Sequence, residues 1–250
     1  DGAFSAIRDK MQKNDRFNYS QSYIEHGYKE LTIPPAPDGD FQLDKNALHI
    51  WPRKQYMLIG LPNLDGSFTC TLFFPFDGNP SFESLKTEAE ISAFFNEEFP
   101  DVIPFMPTLL QDFAHNPTSS LVTVRSFPWA YKDKALLIGD AAHAIVPFFG
   151  QGMNAGFEDC TVLDECLDRY PDNWEKAFKE FEILRKPNTD AIAELALENF
   201  IEMRDKVADP VFLRRKKVER LMHTQFPDRF NSLYSMVTFS DMPYHDAQVT

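Results

Sequence analysis

The chain has 250 residues, with 25 Lys and Arg against 38 Asp and Glu, giving a net charge of −13 and a pI near 4.9. That length suits one large domain or two small ones, and the acidic balance argues against nucleic acid and anionic membrane surfaces as partners. No stretch reaches the roughly 18 consecutive apolar residues of a membrane span, three cysteines are too few for a disulfide framework, and six histidines without metal-ligand spacing argue against structural zinc.

In chain order, the first half reads as strands. Tyr28–Ile33, Ala47–Trp51, Gln55–Leu61 and Ser67–Phe74 are β-branched or aromatic runs separated by Pro, Gly, Asp and Asn. In the last of these Thr71 and Phe73 share one face and Cys70 and Leu72 the other, so the sheet is expected to be covered on both sides. The link from 62 to 66 suits an antiparallel hairpin. Thr87 and Glu90 form a capping-box pattern for a helix to about Phe99. Leu121–Phe127 is a further strand, and Ala135–Ile138 a short buried one.

The second half reads as helical. Gly152–Arg169 carries Phe157, Cys160, Leu163 and Leu167 at helical spacing. Asn173 caps a helix to Arg185, which Pro187 is expected to interrupt or kink, with another helix over Thr189–Lys206. Asp209-Pro210 then opens a helix to about Gln225. All three cysteines are expected as buried thiols in a reducing compartment. The chain opens Asp-Gly-Ala-Phe without an initiator Met, as a fragment or processed chain would.

Glycine is scarce, ten in all, yet four fall between positions 139 and 156. Neither a G-x-S-x-G elbow nor a G-x-x-x-x-G-K-[ST] loop explains them. A strand ending in Gly139-Asp140, followed by Gly150-x-Gly152 at a helix start, lets a ligand approach the backbone and offers unpaired N–H groups to anionic oxygens. Asp140 can accept from a sugar-type hydroxyl, and Asn154 can donate and accept along a heterocycle edge. A plain strand-helix connection is the alternative reading of the same pattern.

Gly139-Asp140-Ala-Ala-His143, Pro147 and Gly150-Gln-Gly-Met-Asn154, together with Asp1-Gly-Ala-Phe-Ser5 and Arg8, resemble two motifs of the single-component FAD-dependent aromatic hydroxylases. His49-Ile-Trp-Pro-Arg53, Ser67–Phe73, Ile145–Asp159 and Tyr234–Phe239 are more closely similar to the branch of that family that hydroxylates kynurenine, and the resemblance runs from Asp1 to about His245. It implies an α/β fold with α+β character: part of an FAD/NAD(P)-binding flavin-hydroxylase fold, with an antiparallel substrate-domain sheet and a helical C-terminal region. The expected division is 1–20 as the end of the FAD-binding domain, 21–127 as the substrate sheet, 128–172 as the FAD-binding domain again, and 173–250 as the helical region. A G-x-G-x-x-G unit is expected ahead of Asp1. In eukaryotic members a hydrophobic tail beyond Thr250 anchors the enzyme to the mitochondrial outer membrane, and without it the chain is expected to be soluble and cytoplasmic.

The resemblance implies FAD and NADPH as cofactors, L-kynurenine and O2 as substrates, the enzyme's N-terminal portion as partner, and no nucleic acid. Asp1, Gly139, Asp140, Pro147, Gly150, Gly152, Met153 and Asn154 are the implied cofactor residues. Leu48, Ile59, Leu61, Thr71 and Phe73 would form a sheet wall of the substrate pocket, with Pro147, Phe148 and Phe149 between substrate and flavin. Asn199, Glu202 and Met203 lie one helical turn apart and can face one site. Asn199 and Tyr234 would hydrogen-bond the substrate's amino-acid end. No side chain is expected to act as catalytic acid or base, since the flavin does the chemistry. His143 is read as satisfying loop carbonyls, and Arg214–Lys217 as a solvated helix face or a contact for anionic membrane. A hydroxylase of another aromatic, or a flavin-free interaction module derived from such an enzyme, stay as alternatives.

Overall fold

A computed structural model describes residues 1–206 and 209–250. The chain divides into two compact units, one of residues 1–23, 122–201 and 214–250, the other of residues 24–121 and 202–213. A five-stranded sheet has the order β2-β3-β4-β1-β5, from β1 (Asn18–Ile33), β2 (His49–Pro52), β3 (Met57–Pro62), β4 (Phe68–Pro75) and β5 (Ser119–Phe127).

The second unit is organised by β4, which pairs antiparallel with β1 on one side and with β3 on the other. Phe68, Cys70, Leu72 and Phe74 point into one apolar core, which α2 (Glu88–Glu98) and α3 (Leu109–His115) complete with Phe94, Phe95, Leu109 and Phe113. Phe74 meets Tyr56 at 5.1 Å and Phe94 at 5.0 Å between ring centroids, tilted or edge-on as ring quadrupoles favour. The expected capping box holds α2 in place: Thr87 Oγ1 accepts from the Glu90 N–H, and Glu90 Oε2 accepts from the Thr87 N–H at 2.9 Å. The 62–66 link is the expected hairpin, closed by the Asn63 N–H donating to the Ser67 carbonyl at 2.8 Å.

The first unit is mainly helical. It contains α1 (Ala6–Met11), a two-stranded hairpin of β6 (Ala130–Tyr131) and β7 (Ala135–Leu136), α4 (Asp140–His143) and α5 (Gly152–Arg169). It continues with α6 (Trp174–Ile201), the greater part of α7 (Pro210–Gln225), α8 (Leu233–Phe239) and α9 (Tyr244–Val249). Among the described residues no helix is long and apolar enough to cross a membrane, and no group of His, Cys, Asp and Glu could hold a metal ion.

Several expectations need correction. β1 begins at Asn18, ten residues before the predicted start, because Ser20, Gln21 and Ser22 hide a strand that the period-two pattern cannot flag. α6 runs unbroken through Pro187, with Asn173 Oδ1 accepting from the Lys176 N–H at its start as expected. Tertiary packing of Phe181, Arg185, Thr189 and Ile192 on its buried side overrides the local cost of the proline. The buried side of α5 is Ala155, Asp159 and Cys166; of the predicted apolar face Leu163 and Leu167 pack against the core as expected, whereas Phe157 and Cys160 are exposed. Of Ala135–Ile138 only the first two residues pair, and of the four only Leu137 is buried. Asp209 caps α7 as expected, accepting from the Val211 N–H at 2.8 Å. α1, α3, α8 and α9 went unread; each is seven residues or fewer, too short for a periodic signal.

Phe74→Ala should lower unfolding stability by about 3–5 kcal/mol, because it empties the centre of a close-packed aromatic cluster. The midpoint and slope of urea unfolding measure this.

Candidate functional site

The glycine-rich segment lies in the first unit. Gly139 adopts φ +55° and ψ −144°, a conformation open mainly to glycine, and serves as the N-cap of α4. Its backbone meets that of Gly156 across the gap: a Cβ on either residue would lie 3.9–4.0 Å from the other's Cα. Asp140, first residue of α4, is exposed, and its carboxylate has no hydrogen-bond partner among the described residues. Pro147–Phe149 form one 3-10 turn that ends at Gly150 in the left-handed region (φ +66°). A Cβ on Gly150 would meet nothing within 4 Å, so this face of the loop is open. The first N–H groups of α5, from Gly152, Met153 and Asn154, have no intrahelical acceptor and sit at the positive end of an 18-residue helix.

A planar ligand carrying hydroxyls and electronegative ring edges fits this set: open glycine backbone, a free carboxylate and a helix N-terminus. Asn154 donates from Nδ2 to Gln151 Oε1 at 2.9 Å, which leaves its Oδ1 for a ligand. Gln151 is buried and also accepts from the Tyr244 hydroxyl at 2.9 Å. Beside them a cleft of about 440 Å³ is lined by Gln151, Asn154, Glu158, Thr238, Asp241 and Tyr244. Met153 is 71% exposed at the helix start.

The two motifs, 133 residues apart at their point of contact, are joined by one buried cation. Arg8 donates to the Ala141 carbonyl at 2.9 Å and to the Ala3 carbonyl at 2.6 Å, and its guanidinium lies 4.9 Å from the centre of the Tyr19 ring. Gly2 takes φ +69° in the turn before α1, where Asp1 Oδ2 accepts from the Ile7 N–H at 3.1 Å. Sequence separation hides this contact, although Arg8 is part of the pattern that marks the motif.

A second buried network was missed altogether. Asp159, fully buried on α5, accepts from the Gly139 N–H at 2.8 Å, from His143 Nε2 at 2.6 Å and from Arg185 Nε at 2.7 Å. Burial pushes its carboxyl pKa upward, but the hydrogen bond and charge of His143, with Arg185 and the Gly139 N–H, outweigh it and hold the carboxyl below its ordinary range. His143 therefore pairs with a carboxylate, not with loop carbonyls as expected. The available signal was an acid inside the α5 stripe of Ala155, Asp159, Val162 and Cys166. Glu182, also buried, accepts from the Ala130 N–H at 2.9 Å and from the Trp129 N–H, and burial pushes its carboxyl up.

The expected substrate residues fall in both units. In the first, Phe148 and Phe149 are buried while Pro147 is exposed; Phe148 packs on Phe200 at 4.5 Å and Phe149 stacks on Tyr234 at 5.9 Å. Asn199 donates from Nδ2 to the Phe148 carbonyl at 2.7 Å, so it fixes the 147–149 turn. Tyr234 is 44% exposed, and its hydroxyl has no partner among the described residues. In the second unit, Ile59 faces Thr71 and Leu61 faces Thr69 in the antiparallel register. Ile59, Leu61, Thr71 and Phe73 therefore share the face turned away from the aromatic core. Leu48 precedes β2 by one residue, in step with Ile50, which pairs with Ile59. The equal spacing assumed for Asn199, Glu202 and Met203 does not hold. α6 ends at Ile201, and 202–206 form a π turn with wider spacing per turn.

Residues 119–169 match the family described as "FAD binding domain". Over nearly its whole length the chain is similar to proteins named kynurenine 3-monooxygenase. It is 59% identical to that of Flavobacterium johnsoniae over 247 residues, covering 99% of this chain and 55% of the relative. It is 56% identical to that of Dictyostelium discoideum (99% and 56%) and 47% identical to that of Sus scrofa (100% and 52%). The chain thus spans about half the length of the curated relatives it matches. Among solved structures, a tetrameric 2-methyl-3-hydroxypyridine-5-carboxylic acid oxygenase aligns with a TM-score of 0.65 at 21% identity, covering 85% of this chain and 56% of that one. The tetracycline destructase Tet(51) aligns with a TM-score of 0.59 at 17% identity, covering 97% and 62%. The chain thus shares the mixed helix and antiparallel sheet fold of the matched part of these structures.

Gly139→Ala should destabilise the protein by about 1–3 kcal/mol through backbone strain alone. Gly156→Ala, whose added methyl would make only an ordinary contact in a helix, should be stabilising by about 0.5–1 kcal/mol. Thermal midpoints of the two variants measure the contrast.

Proposed function

We propose that this chain is part of an FAD-dependent monooxygenase that uses NADPH and O2 to hydroxylate L-kynurenine at ring position 3. One observation carries the reading. Arg8 ties the Asp1-Gly2 turn to the Gly139–Asn154 loop, and that loop exposes a free carboxylate, an open glycine backbone and a helix N-terminus on residues inside the matched FAD-binding region.

In this reading residues 1–20 and 128–172 bind FAD, 21–127 supply the substrate sheet and 173–250 the helical remainder. Asp140 would accept hydrogen bonds from the ribityl hydroxyls. The α5 N–H groups, Asn154 Oδ1 and the open backbone at Gly150 would help hold the flavin. Bound FAD supplies the redox chemistry with NADPH and the activation of O2. Phe148 and Phe149, held by Phe200, Tyr234 and the Asn199 hydrogen bond, keep water from the reacting ring. Tyr234 offers its hydroxyl to the amino-acid end of the substrate, with Asn199 as its neighbour in role. Leu48, Ile59, Leu61, Thr71 and Phe73 supply an apolar wall; Glu202 and Met203 contribute from the π turn.

The test is steady-state oxidation of NADPH by the full-length enzyme, with product analysis. Kynurenine should accelerate oxidation and yield 3-hydroxykynurenine; acceleration that yields only hydrogen peroxide would reassign the substrate. Asp140→Ala should raise the dissociation constant for FAD by about tenfold, the loss of one charged acceptor. Tyr234→Phe should raise KM for kynurenine several-fold while flavin content stays constant. Flavin absorbance after gel filtration and initial-rate kinetics report these two outcomes.

A further inference from the structure

We propose that Asp159 is a positioning residue for FAD affinity, acting at a distance through the Gly139–Asp140 peptide; the inference rests on the FAD reading above. Asp140 has no hydrogen-bond partner of its own among the described residues, so its direction is set by the backbone of the single turn it begins. Asp159 grips both ends of that turn with one oxygen. Oδ2 accepts from the N–H of Gly139, the residue before Asp140, and from Nε2 of His143, the last residue of α4.

The other oxygen is fixed in turn. Oδ1 accepts from Arg185 Nε at 2.7 Å, and Arg185 is held on α5 by Glu158 Oε1 at 2.7 Å and the Ala155 carbonyl at 3.2 Å. All three principal members, Asp159, His143 and Arg185, are nine-tenths or more buried. Water therefore cannot replace a lost bond cheaply, and the Gly139 N–H depends on this acceptor. The chemistry admits no neutral substitute. An asparagine at 159 must turn its NH₂ either toward the Gly139 N–H or toward Arg185 Nε, both donors, so one buried donor loses its acceptor.

A residue that only holds the fold together would lower FAD affinity whether or not Asp140 is present. A positioning residue acting through Asp140 would not, and a double-mutant cycle separates the two. The experiment titrates FAD into the full-length apoenzyme, following quenching of flavin fluorescence, for wild type, D159N, D140A and the double variant. The apoenzyme thermal midpoint is recorded beside each. H143L and H143Q, alone and with D140A, form a milder pair, since only the glutamine amide can still donate to Asp159.

D159N and H143L should each raise the FAD dissociation constant by about tenfold. H143Q should stay within about threefold of wild type, and D140A/D159N within about threefold of D140A alone. Unchanged affinity in D159N, losses that multiply in the double variant, or H143Q as impaired as H143L would overturn the proposal. If D159N does not fold, the His143 pair in the D140A background decides the question by the same criteria. A wild-type full-length enzyme that retains no FAD would instead overturn the functional reading.

Discussion

The buried carboxylate of Asp159 is the constraint around which the first unit is organised. A lone carboxylate in a dry interior is several kcal/mol unfavourable, so its presence obliges the fold to bring compensating donors to it. They come from three places: the peptide at the end of the β6–β7 hairpin, the last residue of α4, and the middle of α6. Apolar packing alone could let α5 slide against α6 or let the 137–143 segment drift. An ion pair with one geometry cannot be satisfied in a second register. Removing Arg185 would leave the buried carboxylate without its permanent countercharge, so the cost of error is large even where the net gain from the pair is small.

The functional face follows from that fixed interior. Once the 139–143 turn is pinned from beneath, Arg8 can reach the Ala141 carbonyl, while Ser126 and the Val124 N–H hold the Ala142 and Ala144 carbonyls at 2.8 Å each. Every one of these contacts meets the backbone from the inner side. The outer side keeps Asp140, Gly150 and the start of α5 open. The surface proposed to take a large planar cofactor is thus made chiefly of main chain. Side chains are used underneath, where they can be packed and paired.

This division explains what the sequence disclosed and what it concealed. The glycines at 139, 150 and 152, Asp140, and the strands with alternating apolar residues were legible, because their local chemistry is visible one residue at a time. So were the Thr87 and Asp209 caps. Asp159 and Arg185 were not, since an acid or a base in a helix reads as solvated unless its neighbours at i±4 and i±7 are weighed with it. Each lies within a buried stripe, Ala155, Val162 and Cys166 for the one and Phe181, Thr189 and Ile192 for the other. The continuous α6 was concealed for a related reason. A proline's cost is local, whereas the packing that overcomes it comes from buried groups along the whole helix. β1 was cut short because its first residues, Asn18 to Ser22, are all polar but for Tyr19, so their alternation shows no apolar face to read.

The same reasoning bears on how a site of this kind can change. Residues that would face a ligand through backbone atoms tolerate few substitutions where the conformation is that of Gly139, since φ +55° with ψ −144° is open mainly to glycine. In the proposed reading, residues that would contact it through side chains, such as Tyr234 or the Ile59–Thr71 face, can vary with the substrate. The buried pair beneath lies between these two cases. It touches no ligand, yet its geometry fixes where Asp140 can point. A hydroxylase with a different substrate could therefore keep the Asp159–His143–Arg185 arrangement unchanged while replacing every side chain on the sheet wall. Cofactor geometry and substrate choice are separable because they rest on different atoms: main chain locked by a buried charge for the one, exposed side chains on strands and loops for the other.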